Sequence, residues 1–418
     1  MRSRLCTLAA ALVALAGVAG DATAAPPPAV REARSPIGDR ASTGLASSAK
    51  AAIVIDASDG AVIFAHNAGE RRSIASTTKL MTALLTLERT RPSEVFTAPA
   101  YDAGPAESKI NLRTGERMRA GDLLKALLLE SANDAAATLA QGISGSRQAF
   151  VEAMNERARQ LGLRDTSYAN PVGLDEPGNY STASDLARLA RHLLTSRRFA
   201  RVVNTPKAVL RSGAHRRVVD NRNDLVARYP FVDGVKTGHT QQAGYLLVGT
   251  GHGRSGVRVI TVVMGEPSEA ARDSDTLALL RYGLSRFRSE RVLDRRRVLA
   301  RPQVRYFGDR RVALVPRNGL TVTARAGQRV GRRVRAPARL EGPLPPGRRV
   351  GSVAVLRGGR PVGRVDLVTA GAVPGAGLPR KLLSGPSLPL VLVVLVALLG
   401  GLFIATLRLR VRLRLVRE

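Results

Sequence analysis

Ala52-Ile53-Val54-Ile55 runs into Ala57-Ser58-Asp59-Gly60 and then into Ala61-Val62-Ile63-Phe64. Two apolar runs joined through Asp-Gly predict a β-hairpin, because that dipeptide tolerates the positive φ angles of a tight turn between twisted strands. Working outward, residues 76–87 place Leu80, Met81, Leu84 and Leu85 at helical spacing. Residues 121–143 read as a second helical region around a loop, and 147–161 and 184–194 as amphipathic helices. Residues 245–249 and 257–264 read as paired strands, and 273–287 as a closing helix. A hairpin, a helical middle, then strands and a last helix predict an α/β sandwich, an antiparallel sheet flanked by helices plus a helical region, spanning residues 46–290.

The ends of the chain supply an address. Residues 1–25 carry Arg2 and Arg4, an apolar stretch and Ala22-Thr23-Ala24, the pattern of a cleaved secretory signal. Residues 26–45, rich in Pro, Ala and Arg, read as a linker. At the other end residues 388–407 hold no charge, and at ~1.5 Å per residue they reach roughly 30 Å, the thickness of a hydrocarbon core. Arg408, Arg410, Arg412, Arg414 and Arg417 make residues 408–418 a basic tail of the kind that stays cytoplasmic. The expectation is a single-pass protein of the cell membrane with its main body on the extracytoplasmic side. Between the body and the span, residues 291–370 alternate short apolar runs with Gly and Pro turns, a small all-β domain, and residues 371–387 form a Pro/Gly linker.

Composition narrows the chemistry. Of the 418 residues 44% are hydrophobic and 23% charged, enough for a buried core. The net charge of +32 comes from 58 arginines and seven lysines, and residues 291–370 alone hold 20 arginines against four acidic residues. An extracytoplasmic address makes nucleic acid an unnatural partner, which leaves anionic lipids or wall polymers, or simply a solvated arginine-rich face, as readings of this charge. Cys6, in the signal segment, is the only cysteine, which removes disulfides, a cysteine nucleophile and thiolate metal sites from the mature chain. The five histidines show no HExxH pair. No cofactor or metal is expected, and an exported hydrolase of this composition needs an oxygen nucleophile.

Three short motifs supply one. Ser76-Thr77-Thr78-Lys79 opens the helix predicted for residues 76–87. At i and i+3 a hydroxyl and an amine share a helix face. A lysine whose pKa is lowered by burial and nearby positive charge can take the serine proton. Ser131-Ala132-Asn133 offers a second hydroxyl to relay a proton and an amide that can both donate and accept. Lys236-Thr237-Gly238, followed by His239 and Thr240, offers a cation and a hydroxyl for a carboxylate, with a glycine that lets substrate approach a strand.

Taken in this order, Ser-x-x-Lys, Ser-x-Asn and Lys-Thr-Gly resemble the penicillin-binding protein and serine β-lactamase superfamily. Within it the chain is most similar to the D-alanyl-D-alanine carboxypeptidases, the low-molecular-weight penicillin-binding proteins. The residues that carry the resemblance are Ile74 to Thr82, Ser131-Ala132-Asn133-Asp134-Ala135, Asn170-Pro171-Val172-Gly173-Leu174, and Asp233 to Thr240, and it covers about residues 46–290. It implies a β-lactamase/transpeptidase-like fold. It also implies an acyl-enzyme on Ser76 with Lys79 as general base and Ser131 passing the proton to the leaving D-alanine. Asn133, Lys236, Thr237, Gly238 and His239 would bind substrate, His239 through its backbone N–H. Arg272, ahead of the closing helix, and more weakly Arg222, are candidates for the substrate carboxylate. The implied substrate is the peptidoglycan stem pentapeptide, with β-lactams as acylating mimics. A class A-like β-lactamase, suggested by Glu176-Pro177-Gly178-Asn179, a D,D-endopeptidase, and a non-catalytic scaffold binding wall or membrane remain as alternatives. Members of the resembled family are often anchored by an amphipathic C-terminal helix, whereas residues 388–407 read as a full span.

Overall fold

The computed structural model describes residues 45–46, 48–253, 256–384 and 388–415. The expected signal segment and all but the last residue of the 26–45 linker lie outside these. Strands β1 (Ala51–Asp56) and β2 (Val62–His66) form the hairpin that Asp59-Gly60 predicts. Helices α1 (Lys79–Arg89), α2 (Asn133–Ser144) and α3 (Ala183–Leu193) belong to the helical middle. The chain then returns through β3 (Val232–Thr240), β4 (Gly244–His252) and β5 (Arg258–Glu266) and closes with α4 (Glu269–Ser285). The sheet runs β2-β1-β5-β4-β3, with every neighbouring pair antiparallel.

All of β1 is buried, which explains why it reads as an unbroken apolar run rather than as alternation. Ile53 and Ile55 join Leu80, Leu84, Leu186, Leu189, Val248 and Ile260 on one face of the sheet. Ala52 and Val54 join Leu247, Val259, Val263, Leu279 and Leu280 on the other. Helices therefore cover both faces, the sandwich expected from the order of elements. Strand β3 has no apolar pattern of its own, because Asp233, Gly234, Lys236, Thr237 and Gly238 interrupt it. Pairing to β4 makes it a strand, with Lys236 opposite Val248 and Gly238 opposite Leu246.

Two expectations are corrected. Residues Ala75–Thr78 form a 3₁₀ turn, and the α-helix starts only at Lys79, so Ser76 precedes the helix instead of opening it. The closing helix begins at Glu269, where the Ser268 hydroxyl accepts from the Ala271 N–H as an N-cap. Arg272 consequently lies within that helix, not ahead of it.

Beyond α4, β6 (Phe287–Leu293) pairs with β8 (Leu320–Arg325), and β7 (Leu314–Pro316), β9 (Val330–Arg335), β10 (Arg349–Arg357) and β11 (Arg360–Thr369) form a sheet ordered β7-β11-β10-β9. Leu293, Val322, Val353, Val355 and Leu367 make its small core. Bridges from Leu344 to Val373 and from Gly342 to Gly375 carry this pairing into the stretch read as a linker, and Leu378–Ser384 is helical. The last helix, α5 (Leu388–Leu415), continues past residue 407 through most of the arginine tail. Its window Leu392–Arg410 has a mean hydropathy of 2.5 and is not buried by the protein.

Candidate active site

The site is assembled around the turn that carries Ser76. Ala75 adopts a positive φ of 43°, and the Thr77 N–H and hydroxyl both donate to the Ile74 carbonyl, at 3.0 and 2.5 Å. Two glycines press on this turn. Gly173 has φ +89°, and a Cβ there would stand 2.1 Å from the Ala75 carbonyl oxygen. A Cβ on Gly238 of β3 would lie 3.3 Å from the Ser76 backbone nitrogen. Absent side chains at these two positions let strand and loop backbones reach the turn that carries Ser76.

Lys79 lies one turn beyond Ser76 and is fully buried. Its Nζ donates to Ser76 Oγ at 2.9 Å and also to the Val172 carbonyl. Burial is the main cause holding its pKa well below the ordinary value, and the positive charge of Lys236 adds to it; Glu107 and Asp134 oppose. A neutral amine here keeps an N–H on Val172 and, by rotating about its last bond, can turn its lone pair to the Ser76 proton. Asn170 sets the Val172 loop in place. Its side-chain oxygen accepts from the N–H groups of Val172, Gly173 and Leu174 at 3.2, 2.6 and 3.2 Å.

The second motif sits where a π turn, Ala126–Glu130, hands over to α2. Ser131 is left-handed at φ 64°, and its Oγ is buried with no hydrogen-bond partner among the described residues. Such a hydroxyl is costly unless something else meets it. The Asn133 N–H donates to the Ser108 carbonyl at 2.7 Å, and its Nδ2 donates to Glu107 Oε2 at 2.6 Å. Glu107 in turn acts on Lys79, which ties this motif to the first.

The third motif lies on β3. Lys236 is 1% exposed, and its Nζ donates to the Thr237 carbonyl at 2.9 Å. Burial, then the charges of Arg222 and Arg272, push its pKa down to about 7, against Glu130. Thr237 and Gly238 follow along the buried strand, and the His239 ring stacks on Tyr245 with centroids 3.9 Å apart. Arg222 is occupied by Glu130 at 2.5 Å. Arg272 lies within electrostatic reach of Lys236, but its buried guanidinium is engaged by Glu269 and Asp273, each at 2.7 Å. Ser76, Lys79, Asn133, Lys236 and Gly238 are thus drawn together, while Arg222 and Arg272 reach the group only through their charge. Sequence reasoning missed Glu107, whose link to the site, Asn133, lies 26 residues on, and the Val172 carbonyl, for which the Asn-Pro turn signal at 170–171 was available. Among the described residues there is no cluster of His, Cys, Asp or Glu that could hold a metal ion.

Comparison with known proteins agrees with this geometry. A family described as peptidase S11, D-alanyl-D-alanine carboxypeptidase, matches residues 39–268. The D-alanyl-D-alanine carboxypeptidase DacF of Bacillus subtilis is 31% identical over 75% of this chain and 83% of its own. A D-alanyl-D-alanine endopeptidase of Pseudomonas aeruginosa is 34% identical over 59% of this chain and 78% of its own. Among solved structures, penicillin binding protein 5 from Haemophilus influenzae superposes with a TM-score of 0.56 at 29% identity, covering 79% of this chain and 98% of that one. With a serine, a buried lysine and a Lys-Thr-Gly strand converging on one turn, and with more than half of the sequence matched, the chain belongs to the peptidase S11 family of D-alanyl-D-alanine carboxypeptidases.

Proposed function

We propose that Ser76 Oγ attacks the carbonyl joining the last two D-alanines of a peptidoglycan stem pentapeptide, with neutral Lys79 taking its proton. Ser131 then passes a proton to the departing D-alanine, and water cleaves the acyl-enzyme. Asn133 positions the peptide. Lys236, with Thr237 beside it, holds the terminal carboxylate in a positive field, and Gly238 leaves room for the substrate backbone. The N–H groups of Ser76 and His239 face the developing oxyanion. Arg272 contributes through the field at Lys236. The observation that carries this reading is the 2.9 Å contact between a fully buried lysine of lowered pKa and a serine hydroxyl. β-Lactams acylate the same oxygen as substrate mimics.

Mass spectrometry of a synthetic pentapeptide incubated with the detergent-solubilised chain tests the proposal. Loss of one D-alanine is expected, and an intact pentapeptide contradicts it. The endopeptidase name of the Pseudomonas relative favours a second reading, in which a cross-linked dimer is cut by the same acyl-enzyme. A cross-linked substrate in the same assay separates the two. Against a β-lactamase reading, Asn170 is committed to the loop turn beneath Lys79, where its side-chain oxygen accepts from the Val172, Gly173 and Leu174 N–H groups, and Glu176 pairs with Arg147 at 2.7 Å.

We further infer that α5 is a single C-terminal membrane span and that the catalytic part lies on the extracytoplasmic side. The β domain then faces anionic lipid or wall polymer with the outer side of its sheet, where Arg333, Ala354 and Arg364 stand in register on β9, β10 and β11. Residues 46–375 should sediment with anionic vesicles at low salt and be released as the Debye length shrinks to about 10 Å near 0.1 M. Binding indifferent to ionic strength would leave this surface without a role.

A further inference from the structure

Glu107 lies outside all three motifs, in the loop between Thr97 and Arg117, yet its carboxylate accepts three hydrogen bonds, one of them from the Asn133 amide. Its Oε2 accepts from Asn133 Nδ2 at 2.6 Å and from the Tyr101 hydroxyl at 2.5 Å, and its Oε1 accepts from the Gly104 N–H at 2.9 Å. The backbone fixes the register of this contact. The Asn133 N–H reaches the Ser108 carbonyl at 2.7 Å, and the Asp134 carboxylate accepts from the N–H groups of Ile110 and Leu112 at 3.1 and 2.9 Å.

We propose that Glu107 is a positioning residue for this reaction, gripping one N–H of the Asn133 amide so that the amide presents its carbonyl oxygen to a substrate N–H. An ionised carboxylate only accepts, so it decides which end of the flippable amide turns toward it. Glu107 is kept in that state. Burial pushes its carboxyl upward, but the hydrogen bonds from Tyr101, Asn133 and Gly104 act against burial, and the carboxyl stays below its ordinary value. The same negative charge acts on the amine of Lys79. The charged groups facing that amine are Lys236, which lowers its pKa, and Glu107 and Asp134, which raise it. One carboxylate therefore sets the orientation of the substrate-binding amide and trims the basicity of the proton acceptor. The inference rests on the reading of Ser76, Lys79 and Asn133 given above.

The test is the second-order rate of acylation of the full chain, in detergent, by a fluorescent penicillin across pH. The proteins are wild type, Glu107→Ala, Glu107→Gln, Asn133→Ala and the Glu107→Ala/Asn133→Ala double variant, with thermal melting as the check on folding. Glu107→Ala should slow acylation by at least about tenfold, as loss of orientation at a reacting centre does. The same change on the Asn133→Ala background should cost less than about twofold, because Glu107 acts through Asn133. Removing a charge that raises the Lys79 pKa should move the acid limb of the profile to lower pH in both Glu107 variants. In Glu107→Gln, which keeps an acceptor oxygen, the plateau should fall less than in Glu107→Ala. Additive losses, or folded Glu107 variants that acylate at the wild-type rate with an unmoved acid limb, overturn the inference while leaving the nucleophile intact. A wild-type chain that forms no adduct on Ser76 instead overturns the reading on which it rests.

Discussion

Lys79→Met lowers the rate of acylation by penicillin, and the rate of D-alanine release, by about a thousandfold, within the range that a positioned proton acceptor supplies. Methionine is close to lysine in length and apolar, so it fills the buried site without leaving a cavity. It takes away the amine nitrogen that lies 2.9 Å from Ser76 Oγ. The wild-type rate should follow the neutral amine. Because burial and Lys236 hold the Lys79 pKa well below its ordinary value, the basic form persists to lower pH than in an exposed lysine, and the rate falls as pH drops through that lowered pKa and protonates it. In Lys79→Met the residual rate should lose this acid limb altogether. A folded Lys79→Met protein that acylates within about threefold of wild type would remove the lysine from proton transfer, since general-base catalysis accounts for at least about a hundredfold.

The parts of the fold that exclude water were legible in the sequence. The run Ile53-Val54-Ile55 and the spacing of Leu80, Met81, Leu84 and Leu85 record faces that must be buried, and burial imposes its period on the residues. Asp59-Gly60 marks a turn with a local cause, and the structure has the hairpin there. The parts that serve the site were harder to read for the same physical reason. Strand β3 carries Asp233, Lys236 and Thr237 where a strand pattern would put apolar side chains, so only its pairing to β4 defines it. The turn at Ser76 is 3₁₀ rather than α-helical, and Gly173 and Gly238, which are remote in sequence, pack against it. No periodicity announces such a contact. Ser268 did announce the true start of the closing helix, and reading it as an N-cap would have put Arg272 inside. Glu107 has local partners in Tyr101 and Gly104, but its link to the site forms only when folding brings Asn133 to it.

The motif order and the resemblance single out Ser76 in a neighbourhood crowded with hydroxyls, and those hydroxyls differ in their surroundings. Thr77 is fully buried and its hydroxyl is committed to the Ile74 carbonyl. Thr78 is buried too, with its hydroxyl 3.5 Å from the Asn179 amide. Ser131 Oγ is buried and has no hydrogen-bond partner among the described residues. Ser76 alone of these is partly exposed and shares a hydrogen bond with the amine of Lys79. Its replacement by alanine should therefore abolish covalent labelling outright rather than slow it, because an acyl-enzyme cannot form without the oxygen that carries it. The central claim is tested most directly by digesting the penicillin-labelled chain and locating the adduct by mass spectrometry. The account predicts a single modified residue, Ser76, and an unlabelled Ser76→Ala protein that still folds. An adduct on Ser131, or undiminished labelling of Ser76→Ala, would contradict it.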